Sequence, residues 1–208
     1  MLTEIPVEFD EKLRTLLKIM VEEGVTYAAR GFSDMVGTPL SISRPQVHLV
    51  PLAEVPNLLG GPESEAVGIY LRAQGEISGQ IMLILAYAKA LELTDMMMSQ
   101  TPGTTQTLGA MERSALAELG NLTGTFFLNA LAAFAGLGAR PTPPAVMVDM
   151  VGAILDVIVA THGGVGKQVL MLQVAFLGTE REIQADFWVI PDPVTLDALA
   201  KRAASHGG

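Results

Sequence analysis

The order of apolar and polar positions predicts an alternation of helices and strands along the chain. Phe9 to Met35 carries Leu13, Leu16, Leu17, Met20, Tyr27 and Phe32 as apolar positions of a long helix, with Asp10 as a candidate N-cap, and Gly37-Thr38-Pro39 ends it. Pro45 to Pro51 predicts a short strand, and Leu52 to Gly61 a helical turn or loop broken by Pro56 and by Gly60-Gly61-Pro62. Ala66 to Gln74 and Gly79 to Tyr87 predict a hairpin turning at Gly75-Glu76-Ile77-Ser78, whose second strand is too apolar to show an exposed face. Ala88 to Ser99 returns to helix, and its Met96-Met97-Met98 reads as adaptable packing.

A second helix, from Ser114 to Leu131 and followed by Pro144, organises the rest. At 100° per residue, Ser114, Glu118, Asn121 and Thr125 fall within about 60° of one another. Leu119, Leu122, Phe126, Ala130, Ala133 and Leu137 gather on another side, which predicts a helix with a buried face and a polar stripe. Asn disfavours helix interiors because its side chain competes for backbone hydrogen bonds, and Gly120 and Gly124 each cost about 1 kcal/mol relative to Ala. Something other than helix propensity placed them there, and the two glycines predict close approach to a second helix of the same kind. The plain alternative is that the stripe only solvates an exposed face.

The second half repeats the order of the first. A shift of 99 lays Ile19 on Glu118, Glu22 on Asn121, Thr26 on Thr125, Gly37 on Gly136, Pro45 on Pro144 and Val47 on Val146; after the first strand a shift of 103 lays Gly75 on Gly178 and Leu93 on Leu196. Units of helix, strand, hairpin and helix are expected at about 9–99 and 107–204, the second with a hairpin at Gln168 to Phe176 and Glu182 to Ile190 and a last helix at Val194 to Ala204. Neither unit alone covers its sheet easily, so one α+β domain over 1–208 with internal pseudo-twofold symmetry is expected.

Composition narrows the classes. Half of the 208 residues are apolar, ample for a packed core, and the absence of cysteine excludes disulfides and thiolate metal sites, which suits the cytoplasm. A net charge of −9 argues against a nucleic-acid partner. The start lacks the pattern of a signal peptide, and the longest apolar run, Ile81 to Ala88, is far too short for a membrane span, so no membrane insertion is expected. His162-Gly163-Gly164-Val165-Gly166-Lys167 has Thr161 in place of the first glycine of a phosphate-binding loop, Gln168 in place of the Ser/Thr, and a strand-like run where that loop needs a helix. It reads as a turn. His48, His162 and His206 have neither metal-ligand nor triad spacing, no oxygen-ligand cluster stands out, and Ser114 has no identifiable base, so no metal or nucleophile is assigned.

Ser114-x3-Glu118-x2-Asn121, the eight residues to Ala130-Leu131 and the twenty-two between Asn121 and Pro144 resemble the signature of the CheC/CheX/FliY phosphatases, closest to CheC, which act on phosphorylated CheY in chemotaxis. The resemblance runs from about Phe9 to about Ala204 and implies a duplicated fold with two long motif helices side by side on the surface. It also implies that Asn121 orients the water attacking a receiver's aspartyl phosphate, that Glu118 pairs with a receiver lysine, and that Ser114 and Thr125 flank the contact. No cofactor is expected on this chain, because magnesium belongs to the receiver. The first helix departs from the pattern: Ile19 cannot form the ion pair, and a carboxylate at Glu22 repels a phosphoryl group, so one active site is expected.

Two other functions remain open from the sequence. One is a non-catalytic adaptor or sink that binds a receiver or a CheD-like deamidase. The other, a flagellar-switch component, is disfavoured because no fused C-terminal segment of the FliY kind follows the second repeat.

Overall fold

A computed structural model describes residues 41–43, 46–161, 168–177 and 182–192, with Thr15 and residues 194, 195, 198 and 201 as isolated helical positions. The predicted helix from Phe9 to Met35, apart from Thr15, lies outside the described residues. So do Ile19 and Glu22. The elements are β1 Ser41–Ile42, β2 Gln46–Pro51, α1 Val55–Leu58, β3 Glu65–Gly75, β4 Gly79–Ala86, α2 Tyr87–Met97, α3 Ala110–Ala135, β5 Ala139–Pro141, β6 Ala145–Met150, α4 Val151–Thr161, β7 Gln168–Leu177 and β8 Glu182–Pro191. Among the described residues no helix is long and apolar enough to cross a membrane.

All eight strands form one antiparallel sheet, with β7, β8, β4 and β3 in the middle, β1 and β2 along the outer side of β7, and β5 and β6 along the outer side of β3. Chain order and sheet order are therefore interleaved. β2 of the first half pairs with β7 of the second, starting at Gln46↔Gln173, and β6 of the second half pairs with β3 of the first, ending at Tyr70↔Ala145. The shifts of 99 and 103 read from the sequence carry the first of these pairs onto the second.

Alternation along the strands gives the sheet two apolar faces. On one face Val67, Ile69, Leu71, Leu83, Leu85, Ala185 and Phe187 pack with Ala90 and Leu93 of α2 and Leu116, Leu119, Phe127 and Leu131 of α3. On the other, Ala66, Met82, Ile84, Met171, Trp188 and Ile190 meet Val55 of α1 and Val151, Ile154, Leu155 and Ile158 of α4. Cover on both faces explains the unbroken apolar run of β4, seven of whose eight residues are buried.

Helix α4 is an element that the sequence reading left unassigned. Its β-branched composition hides a helical period at Val151, Ile154, Leu155 and Ile158, all buried against the sheet. A shift of 99 lays this helix on Leu52 to Gly61, where the counterpart is only a 3-10 turn, Leu52–Glu54, and the four residues of α1. Gly60 and Gly61, at φ +89° and +111°, end that short form.

Candidate functional site

The polar stripe stands on α3, whose 26 residues run from Ala110 to Ala135 and extend the predicted helix at both ends. Glu112 lies in the first turn, where the helix dipole favours an acidic group, and Arg113 Nε donates to Leu108 O at 3.0 Å. Gly136 ends the helix in the left-handed conformation at φ 62°, its N–H donating to Ala132 O at 2.7 Å.

The approach to this helix is fixed from α2. Asp95, 1% exposed, accepts the N–H groups of Gly103 at 2.7 Å and Thr104 at 3.2 Å on Oδ2 and that of Thr105 at 2.7 Å on Oδ1. Burial pushes the carboxyl up, but the hydrogen bonds from Thr105, Gly103 and Thr104 outweigh it and hold Asp95 below the ordinary carboxylate range. Sequence reasoning missed this residue, because its partners are loop backbone with no side-chain signature.

Which face of α3 is buried differs in part from the expectation. Leu116, Leu119, Thr123, Phe127, Leu128, Ala130 and Leu131 are buried, together with Gly120 and Gly124, whereas Leu122 and Phe126 are half-buried and Ala133 is exposed. The buried arc runs from Leu119 round to Leu128, which borders Asn121, and includes residues that hydrophobicity alone does not mark. Thr123 is accommodated there because its hydroxyl donates to Leu119 O at 2.7 Å.

The two glycines lie against β3. The helix whose approach they were expected to mark lies outside the described residues, and among the described residues they meet β3 and Pro144. A Cβ on Gly120 would overlap Ile69 Cγ2 and reach 3.6 Å from Pro144 Cβ; one on Gly124 would lie 3.0 and 3.1 Å from the two Leu71 methyls. Glycine is used here so that the helix backbone can settle onto sheet side chains.

On the outer side Ser114 and Glu118 are exposed, and Asn121 and Thr125 are half-buried. The four share one face at i, i+4, i+7 and i+11, so the helix brings all the predicted second-half site residues together. Among the described residues no hydrogen bond or ion pair engages the Glu118 or Asn121 side chain. The face also runs further than the stripe read from the sequence. Met111, 66% exposed, lies on it ahead of Ser114, and exposed Asn129 follows Thr125 by one turn. The same 100° projection would have found both. Chemically the surface offers one carboxylate and two carboxamides along a rigid rod, and no group of three or more His, Cys, Asp or Glu that could hold a metal occurs among the described residues.

The family model described as the CheC-like family matches residues 111–148, the stretch that holds the whole stripe and Pro144. Over this stretch the chain is similar to the CheC-like family. It is 24% identical over 193 residues to the CheY-P phosphatase CheC of Bacillus subtilis strain 168, covering 91% of this chain and 92% of that protein. FliY of Thermotoga maritima shares the fold with a TM-score of 0.73 at 15% identity, over 98% of this chain and 99% of that one. A chain of the CheX–CheY–BeF3–Mg2+ complex of Borrelia burgdorferi matches with a TM-score of 0.53 at 18% identity, over 82% and 97% of the two chains. The similarity to CheC thus covers the motif helix and most of the chain's length, and the likeness to the solved structures is one of fold.

Proposed function

We propose that this CheC-like protein is a phosphatase for the aspartyl phosphate of a CheY-like receiver, with one active site on α3. The observation that carries the reading is that the family match at 111–148 falls on the helix that presents Glu118 and Asn121 one turn apart, with head groups that nothing among the described residues engages. The similarity to a CheY-P phosphatase, and to a chain from a complex with CheY, supports a receiver as the partner.

An acyl phosphate needs little from its helper. In hydrolysis, water forms a bond to phosphorus, the bond between phosphorus and the aspartyl oxygen breaks, and the products are inorganic phosphate and the free carboxylate. Magnesium held by the receiver supplies charge neutralisation at the phosphoryl oxygens. Asn121 holds the attacking water in line by hydrogen bonds to its carboxamide, a task that needs no shifted pKa. Glu118, more exposed and on the same face, reaches the receiver's lysine, while Ser114 and Thr125 complete the contact.

Release of phosphate from the purified phospho-receiver tests the reading. The parent protein is expected to accelerate it, and Asn121→Ala to lose nearly all of that acceleration while keeping fold and receiver affinity. Full activity in Asn121→Ala would overturn the assignment. A parent that binds the phospho-receiver without speeding its decay would establish the adaptor reading, and capture of a CheD-like deamidase would name that adaptor's second partner.

A further inference from the structure

From the contacts beneath α3 we infer that Gly120, Ile69 and Pro144 form a seat that sets the height of Asn121 above the sheet. Gly120 and Pro144 are then positioning residues for the hydrolysis. The inference rests on the phosphatase reading above.

Gly120 immediately precedes Asn121 and is buried against β3, so any change in helix height there passes directly to the carboxamide. A Cβ at this position would overlap Ile69 Cγ2. That methyl cannot easily move away. Ile is stiff at χ1, and Ile69 is 1% exposed, in register with Leu83 of β4 on one side and Val146 of β6 on the other. One turn on, a Cβ on Gly124 would lie 3.0 and 3.1 Å from the Leu71 methyls without overlapping them, so the tight point of the seat is at Gly120.

Pro144 closes the seat from the other side, its Cβ 3.6 Å from the position a Gly120 Cβ would take. It lies two residues before Val146, whose pairing with Ile69 fixes its place along β3. The chain runs down α3 to Gly136, then β5 pairs with β3 at Ala73 to Gly75 and β6 pairs with it from Glu65 to Tyr70. The twenty-two residues between Asn121 and Pro144 are the path that returns the proline to the level of the asparagine. A rigid ring, a stiff β-branched side chain and a missing side chain thus meet under the one residue whose position matters most.

In-line attack tolerates little displacement: an error of about 1 Å can cost about 100-fold in rate. Gly120→Ala is therefore expected to lower kcat about 10- to 100-fold, while affinity for the beryllofluoride-loaded receiver stays within about threefold. Removing the obstructing methyl should reverse this. Gly120→Ala/Ile69→Ala is expected to recover most of the lost kcat even as its melting temperature falls below that of either single variant, a split that a merely structural glycine would not give. Pro144→Ala provides a measure that does not depend on Gly120→Ala folding, with kcat lowered and affinity retained. Unchanged kcat in folded Gly120→Ala or in Pro144→Ala, or a double variant as slow as Gly120→Ala, overturns the seat. The parent runs alongside: an inactive parent sinks the phosphatase reading and the seat with it, whereas an active parent with unaffected variants sinks the seat alone.

Discussion

Glu118 and Asn121 share a face but not an environment, and the difference suits different tasks. On the proposed reading, the exposed carboxylate is the group that reaches a partner's cation and the half-buried carboxamide the group that positions water. Glu118→Ala is expected to weaken receiver binding and turnover together, by about 10-fold each, with Glu118→Gln giving the same loss and a flatter dependence on salt. Unchanged affinity at low ionic strength in both variants would remove Glu118 from the interface. Asp95 acts on stability instead. Its folded pKa is depressed, so its contribution is full above the ordinary carboxylate pKa and is lost as the pH falls through the folded value. In Asp95→Asn one oxygen becomes an amide donor facing backbone N–H groups, with an expected cost of about 1–3 kcal/mol at neutral pH. Thermal unfolding followed from pH 6 to pH 3 should show a shallower acid limb in the variant than in the parent, and parallel limbs would contradict the assignment.

At the scale of elements, α3 shows how a helix can give up propensity for placement. Gly120, Thr123 and Gly124 are poor helix formers, yet all three lie on the buried arc, where a smaller or self-bonded side chain lets the helix settle onto β3. The first repeat has Val21 and Val25 at the positions of the two glycines, and Ile19 and Glu22 at those of Glu118 and Asn121. Ile19→Glu with Glu22→Asn in an Asn121→Ala background therefore tests whether the stripe suffices without the glycine seat. Partial return of phosphatase activity is expected, disappearing when Glu22 is made Ala, and a further gain is expected on adding Val21→Gly. Full recovery without that glycine would show that close seating is not required; binding at the first helix without turnover in any variant would show that two residues are not enough.

At the scale of the whole molecule the interleaved sheet has its own consequence. Separated at the loop before α3, residues 1–106 would lack β6 beside β3 and β8 beside β4, and residues 107–208 would lack β2 beside β7. Each half would expose unpaired strand edges and half of a two-faced core. Neither is expected to unfold cooperatively as a monomer, and mixing the two should restore a cooperative transition; a monomeric, cooperatively folding 107–208 would contradict this. Much of the element order was determined by local pattern, because a hairpin bounded by glycines and an amphipathic helix need only their own residues to be recognised. The candidate site was legible for the same reason, since Ser114, Glu118, Asn121 and Thr125 occupy one helix and its period alone brings them together. Helix α4 escaped because β-branched residues blur the distinction between helix and strand until a sheet face is there to bury them. The tertiary structure alone decided that Gly120 and Gly124 face Ile69 and Leu71, that Pro144 returns to the level of Asn121, and that Asp95 anchors the loop before α3. Those are contacts between segments far apart in sequence or with bare backbone, and side-chain periodicity along one segment carries no record of what will lie against it.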